Sequence, residues 1–191
     1  MADLLRHYRC PCERIEVNYD KPLRQQLQKI AQSDQDVRYA FLSAINGDPR
    51  DQQVVDSLLR EMVRIDSINQ VAICDILDIR GFVGKDKVGD ACGAFWTIIQ
   101  HAPLELQRKY FPTFVEAMKR GDLPKLQIAM MDDRIAMFEN RPQKYGTQII
   151  TDDDGKRKLH TLLDPAMVDQ WRQETDLPPL VDYLKSMGVE P

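Results

Sequence analysis

The longest run of helical periodicity extends from about Pro49 to Ile79, and any fold of this chain must bury one face of it. Val55, Leu58, Leu59, Met62, Ile65, Ile73, Ile76 and Leu77 form its apolar stripe. A stripe of that length predicts the central helix, with room for a kink or break, because single helices usually run for roughly 8 to 20 residues. Ahead of it, Pro22 opens a helix buried through Leu23, Leu27 and Ile30. Ser33 or Asp34 then caps a second one carrying Val37, Phe41, Ala44 and Ile45.

Beyond the glycine-bracketed loop Arg80 to Gly84, Val88, Ala91, Cys92, Phe95, Ile98 and Ile99 predict one helix that ends at His101, just before Pro103. Leu106, Tyr110, Phe114, Val115 and Met118 mark another, closed by Gly121. Leu126, Ala129, Met130, Met137 and Phe138 mark the next, from Pro124. The pattern then changes: Tyr145 to Ile150 and Lys158 to Leu162 are strand-like around the turn Asp152 to Gly155. Asp164-Pro165 predicts a helix start through to Glu174, and Pro178-Pro179 precedes a short last helix. The expected fold is mainly α, a single-domain helical bundle with a small β-hairpin near residues 145-162. Residues 1-20 form an N-terminal arm and residues 21-191 the single helical domain.

Composition narrows the function classes. With 191 residues, 43% hydrophobic and 29% charged, the chain can bury a full core, and its net charge of −4 gives no general attraction to nucleic acid or anionic lipid. No apolar run reaches bilayer-spanning length, and the start lacks the apolar stretch of a signal peptide, so a cytoplasmic protein with neither nucleic-acid nor membrane partners is expected. Cys10 and Cys12 lack zinc-knuckle spacing, and Cys74 and Cys92 fall in helical patterns, so reduced thiols are expected throughout. Asp152-Asp153-Asp154-Gly155 lacks the spacing and closing glutamate of a calcium loop and reads as a solvated turn.

The informative residues are polar ones set into apolar stripes, because a buried unpaired charge is costly and needs a partner. Asp133 follows Leu126, Ala129 and Met130 on one face, with Arg134 on the adjoining flank. Asp66 and Asn69 lie on or beside the buried face of the long helix, and Asp34 and Arg38 have the i,i+4 spacing of an ion pair. His101 leaves a helix C-terminus, where the dipole favours a protonated ring whose ordinary pKa of about 6.5 is within reach of neutrality. His7 and His160 read as surface residues.

These residues carry a resemblance. Gln100-His101-Ala102, Asp133-Arg134-Ile135 and Gln143-x-Tyr145-Gly146-Thr147-Gln148 occur in that order. They are accompanied by Asp34-Gln35 with Arg38, by Asp66 with Asn69, and by Gly81-Phe82. The chain resembles a mainly bacterial family of unknown function over roughly residues 30 to 185. It differs in having Phe82 where tryptophan is usual and Trp171-Arg172 where an Arg-Arg pair is usual. The resemblance groups the residues without assigning a reaction.

The functional expectation is an interhelical pocket, roofed by residues 145 to 148, that binds a small polar or anionic molecule and transforms it. His101 is the candidate general acid/base, oriented by Asp133 or Asp66, and Tyr145 is a second donor. Arg38 and Arg134 grip the anionic group, and Asp66, Asn69, Gln100, Gln143, Thr147 and Gln148 complete the ligand-binding set. No metal is assigned, although His101, Asp66 and Asp133 have ligand chemistry, and no cofactor or oligomeric state is implied. Phosphate-loop, serine-hydrolase elbow and zinc-protease motifs are missing from the sequence. The competing expectation is a non-catalytic interaction or regulatory protein, antitoxin-like, whose buried polar set is structural.

Overall fold

The computed structural model describes residues 18–152 and 154–190, so His7, Cys10, Cys12 and most of the arm expected at residues 1-20 lie outside the described residues. The chain is mainly helical with one small antiparallel hairpin. Helix α1 (Lys21–Ile45) begins where the Asp20 carboxylate accepts from the Leu23 amide at 3.1 Å. It runs unbroken through Ser33 and Asp34, where a second helix start was expected. The Ser33 hydroxyl donates back to the Ile30 carbonyl and Asp34 is held by Arg38, so neither side chain caps a new helix.

Helix α2 (Gln52–Arg80) is capped by Asp51 and ends at Gly81, whose φ of 68° suits glycine. All 29 residues form the one long helix that the stripe predicted, with no break where the pattern left room for one. It packs along α1, and its buried Ile73, Ile76 and Leu77 join Leu23, Leu27 and Ile30 in the core.

The single helix expected from Val88 to Ile99 is instead a short helix, a turn and another helix. Helix α3 (Lys85–Val88) leads into a 3-10 turn (Gly89–Cys92), and α4 (Gly93–Ile99) follows. At Gly89, φ is +60°, which no right-handed helix continues through. Helix α5 (Leu104–Lys119) packs on α6 (Lys125–Phe138). Phe95 and Phe114, both fully buried, close on Phe82 with ring centroids 5.1 and 6.0 Å away. Phe138, expected on the buried stripe of α6, is 51% exposed at that helix's last turn.

The hairpin is shorter than expected. Strands β1 (Ile149–Thr151) and β2 (Arg157–Leu159) pair antiparallel with Ile149 opposite Leu159. Residues 145 to 148 are not strand, because Asp133 takes the backbone amides a ladder would need. Asp164 supports a turn by accepting from Ala166, so helix α7 (Val168–Glu174) starts later than the Asp164-Pro165 signal implied. Helix α8 (Leu180–Ser186) packs on α7. Among the described residues, no helix is long and apolar enough to cross a membrane.

Candidate functional site

The predicted site residues divide into two groups, and neighbouring residues of α6 send their side chains to different ones. In the first, α1 supplies Asp34 and Arg38, α2 supplies Asp66 and Asn69, the end of α4 supplies Gln100 and His101, and α6 supplies Arg134. The Arg38 guanidinium holds both Asp34 oxygens through Nε at 3.2 Å. Its Nη2 reaches Asp34 at 3.0 Å and Asp66 at 2.6 Å. The Asp34 carboxylate is buried, while Arg38 and Asp66 keep 19% and 22% of their side-chain surface exposed, so the cluster reaches solvent along that side. Asn69 Nδ2 donates to the Ile30 carbonyl and the Ser33 hydroxyl, tying α2 to α1.

Arg134 extends from α6 to the end of α4, where Nη1 donates to the Gln100 carbonyl at 2.8 Å. Among the described residues it forms no ion pair and no other hydrogen bond, so Nε and Nη2 are uncommitted. Burial, followed by the neighbouring Arg38, lowers its affinity for a proton, with Tyr183 acting the other way. A guanidinium nevertheless remains charged in proteins.

His101 is not the protonated ring its place at a helix end suggested. Its pKa is pushed down to about 4, first by burial and then by Arg38, with Asp34 opposing and Arg134 adding to the effect. The seven-residue α4 has little dipole to set against two nearby guanidiniums. At neutral pH the ring is uncharged and its unprotonated nitrogen can accept a hydrogen bond. Burial also raises the pKa of Asp66, against the pull of Arg38, and Asp34 raises it further.

A pH dependence of stability follows. His101 binds a proton near pH 6.5 when unfolded but only near pH 4 when folded. Between those values the unfolded chain carries the extra proton, so the His101 contribution is complete above about pH 6.5 and falls as acidity increases toward pH 4. The full shift corresponds to about 3 kcal/mol. Asp66, with its raised pKa, acts in the opposite sense, so comparison with a variant isolates the histidine. Urea unfolding of wild type and His101→Gln should show wild type losing more stability between pH 7 and pH 4.5. Equal losses would contradict the neutral buried ring.

The second group surrounds Asp133. Oδ1 accepts from the Lys144 and Tyr145 amides at 2.8 and 2.9 Å, and Oδ2 accepts from the Thr147 amide and hydroxyl at 2.9 and 3.0 Å. The carboxylate is wholly buried and points into the loop, not toward His101. Gln143 braces the same loop: Nε2 donates to the Gln148 and His160 carbonyls, and Oε1 accepts from the Gln148 amide. The Gln148 side chain donates through Nε2 to the Thr147 hydroxyl and the Met130 carbonyl. The Tyr145 ring lies beside Lys144, whose Nζ is 4.9 Å from its centroid and 5.2 Å from that of Trp171. The Tyr145 hydroxyl makes no hydrogen bond with the described residues. His160, half-buried, places Nε2 2.9 Å from the Arg141 carbonyl.

His101, Asp34, Arg38, Asp66 and Arg134 therefore assemble, whereas Asp133, Gln143, Thr147 and Gln148 form the frame of the loop. Arg172, absent from the predicted set, is fully buried and clamps that loop from the other side. Its Nη1 donates to the Tyr145 carbonyl at 2.6 Å and more weakly to that of Gly146 at 3.4 Å. Nε donates to the Pro178 carbonyl at 2.6 Å, and Cζ lies 4.9 Å from the Tyr183 ring centroid. Tyr183 in turn donates to the Thr147 carbonyl at 2.8 Å. Four residues before Arg172 stands Val168, and that i,i+4 relation to an apolar residue was the available signal for an inward-facing arginine.

Apart from Gly81, which ends α2, and Phe82, which packs on Phe95 and Phe114, the motif residues thus fall into one interhelical cluster and one loop frame, and the sequence profile of a single family spans both, over residues 21–189. The chain belongs to DUF6624, a family of unknown function. The match extends beyond residues 30 to 185, where the motifs pointed, and includes all of α1 and the α7–α8 clamp. No curated protein and no solved structure matches the chain. Among the described residues, no three His, Cys, Asp or Glu side chains are grouped so as to hold a metal ion.

Proposed function

We propose that this DUF6624 chain binds a small anionic or polar molecule between α1, α2, α4 and α6, with His101 as the general base that takes a proton from it once the bound anion offsets Arg38 and Arg134, which after burial hold its pKa down. One observation carries the reading. Arg134 is a half-buried cation with no carboxylate partner among the described residues, and the neutral ring of His101 lies in the field of both Arg134 and Arg38. The other two inward-facing arginines are spent, Arg38 on Asp34 and Asp66 and Arg172 on the carbonyls of Pro178 and Tyr145, whereas Arg134 makes one hydrogen bond among the described residues. Arg134 keeps the planar Nε–Nη2 edge that recognises oxyanions. Asp133 holds the loop, leaving His101 and Arg134 as the acting pair. A cytoplasmic setting, without nucleic-acid or membrane partners, belongs to the same proposal.

A second reading, a non-catalytic interaction or regulatory protein, is favoured by apolar side chains on α2 that face solvent, among them Val63, Val71 and Ile79 at 58, 63 and 82% exposure. Native mass spectrometry of the purified protein distinguishes the two. The site reading expects a small-molecule adduct that is lost on Arg134→Gln, with helicity and melting temperature close to wild type. A protein that carries no adduct, and in which Arg134→Gln and His101→Gln only lower the melting temperature, is the interaction module.

A further inference from the structure

We infer that the molecule held at Arg134 is a singly charged carboxylate, lying in the plane of the guanidinium along Nε and Nη2 with the His101 ring beside it. The inference rests on the preceding proposal and concerns the class of anion. Arg134 Nη1 is committed to the Gln100 carbonyl, which fixes the guanidinium plane and leaves the opposite edge with two parallel N–H groups. A carboxylate matches that fork with two hydrogen bonds in one plane.

Charge favours the same class. Arg38 is shared by two carboxylates, its Nε and Nη2 bound to Asp34 and Nη2 also to Asp66, so α1 and α2 together present one negative charge in excess. Arg134 brings the cluster to neutrality. One carboxylate then leaves a single negative charge, which the exposed edge of Arg38 and Asp66 can share with solvent. A dianion such as sulfate would bring two charges against one uncommitted guanidinium, close to two existing carboxylates, and among the described residues of the cluster only Arg134 offers it a free fork. His101, uncharged at neutral pH, supplies no second cation.

The test uses acetate and sulfate as probes at pH 7 and constant ionic strength. It reads the ring signals of His101 by proton–carbon NMR, with His101→Gln giving the assignment. Acetate should shift the His101 signals saturably, sulfate should bind at least tenfold more weakly, and Arg134→Gln should abolish the acetate response. Arg134→Lys keeps the charge and loses the fork. It should erase the preference for acetate, and it serves in place of Arg134→Gln if that variant does not fold. Sulfate binding as tight as acetate, lost on Arg134→Gln, overturns the carboxylate inference and leaves anion binding standing. No saturable shift with either probe, or one unchanged in the Arg134 variants, overturns both.

Discussion

Asp133→Asn should destabilise the protein by about 3 to 5 kcal/mol, the scale on which a buried charge network fails when one member is altered. The substitution is nearly isosteric, so the loss comes from hydrogen-bond polarity. Both oxygens of Asp133 accept, Oδ1 from the amides of Lys144 and Tyr145 and Oδ2 from the amide and hydroxyl of Thr147. An amide group would turn a donor toward donors on one of those sides, in a site closed to water. At a urea dependence of about 2 kcal/mol per molar, the unfolding midpoint should fall by about 2 M. Hydrogen exchange at the amides of residues 144, 145 and 147 should accelerate first. A midpoint within a few tenths of a molar of wild type would show that the carboxylate does not hold this loop.

Arg172→Met should cost about 3 kcal/mol. Nε and Nη1 of Arg172 satisfy the carbonyls of Pro178 and Tyr145, and methionine fills similar space while leaving those oxygens without a donor. The loss is kept moderate because burying the guanidinium is itself unfavourable, and Nη2 has no hydrogen-bond partner among the described residues. Asp133 grips the N–H groups of this loop and Arg172 its C=O groups, so the two substitutions act on one unit. The double variant should lose less than the sum of the single losses, and a double-mutant cycle in urea measures the difference. Full additivity would mean that the loop is anchored independently at its two edges.

Apolar periodicity was enough to reveal the helices, because burial of one face every three or four residues leaves a local record. It located the cores of α1, α2, α5 and α6 and the change to β-structure near Ile149. Boundaries were less legible where one residue type serves two purposes. Ser33-Asp34 has the composition of a helix cap, but here the hydroxyl bonds backward along the helix and the carboxylate binds Arg38. Gly89 fits a helix by pattern and ends one by its dihedral angle. Tyr145 to Gln148 has strand-forming residues, yet the amides of Tyr145 and Thr147 go to Asp133, 12 and 14 positions earlier in the chain.

The sequence alone determined which residues interrupt the apolar stripes. Asp66, Asn69 and Asp133 could be named from spacing, since a polar residue at a core position is visible without coordinates, while Asp34 was marked by its i,i+4 relation to Arg38, Arg134 by its place on the adjoining flank and His101 by its place at a helix end. Tertiary structure decided how they pair. On a helix, Asp133 and Arg134 are separated by about 100°, so one joins the loop clamped by Arg172 and the other joins His101. The proton affinity of His101 likewise depends first on its burial and then on Arg38 and Arg134, which lie on helices distant in sequence. Charge acts through space, and that spacing exists only in the folded chain.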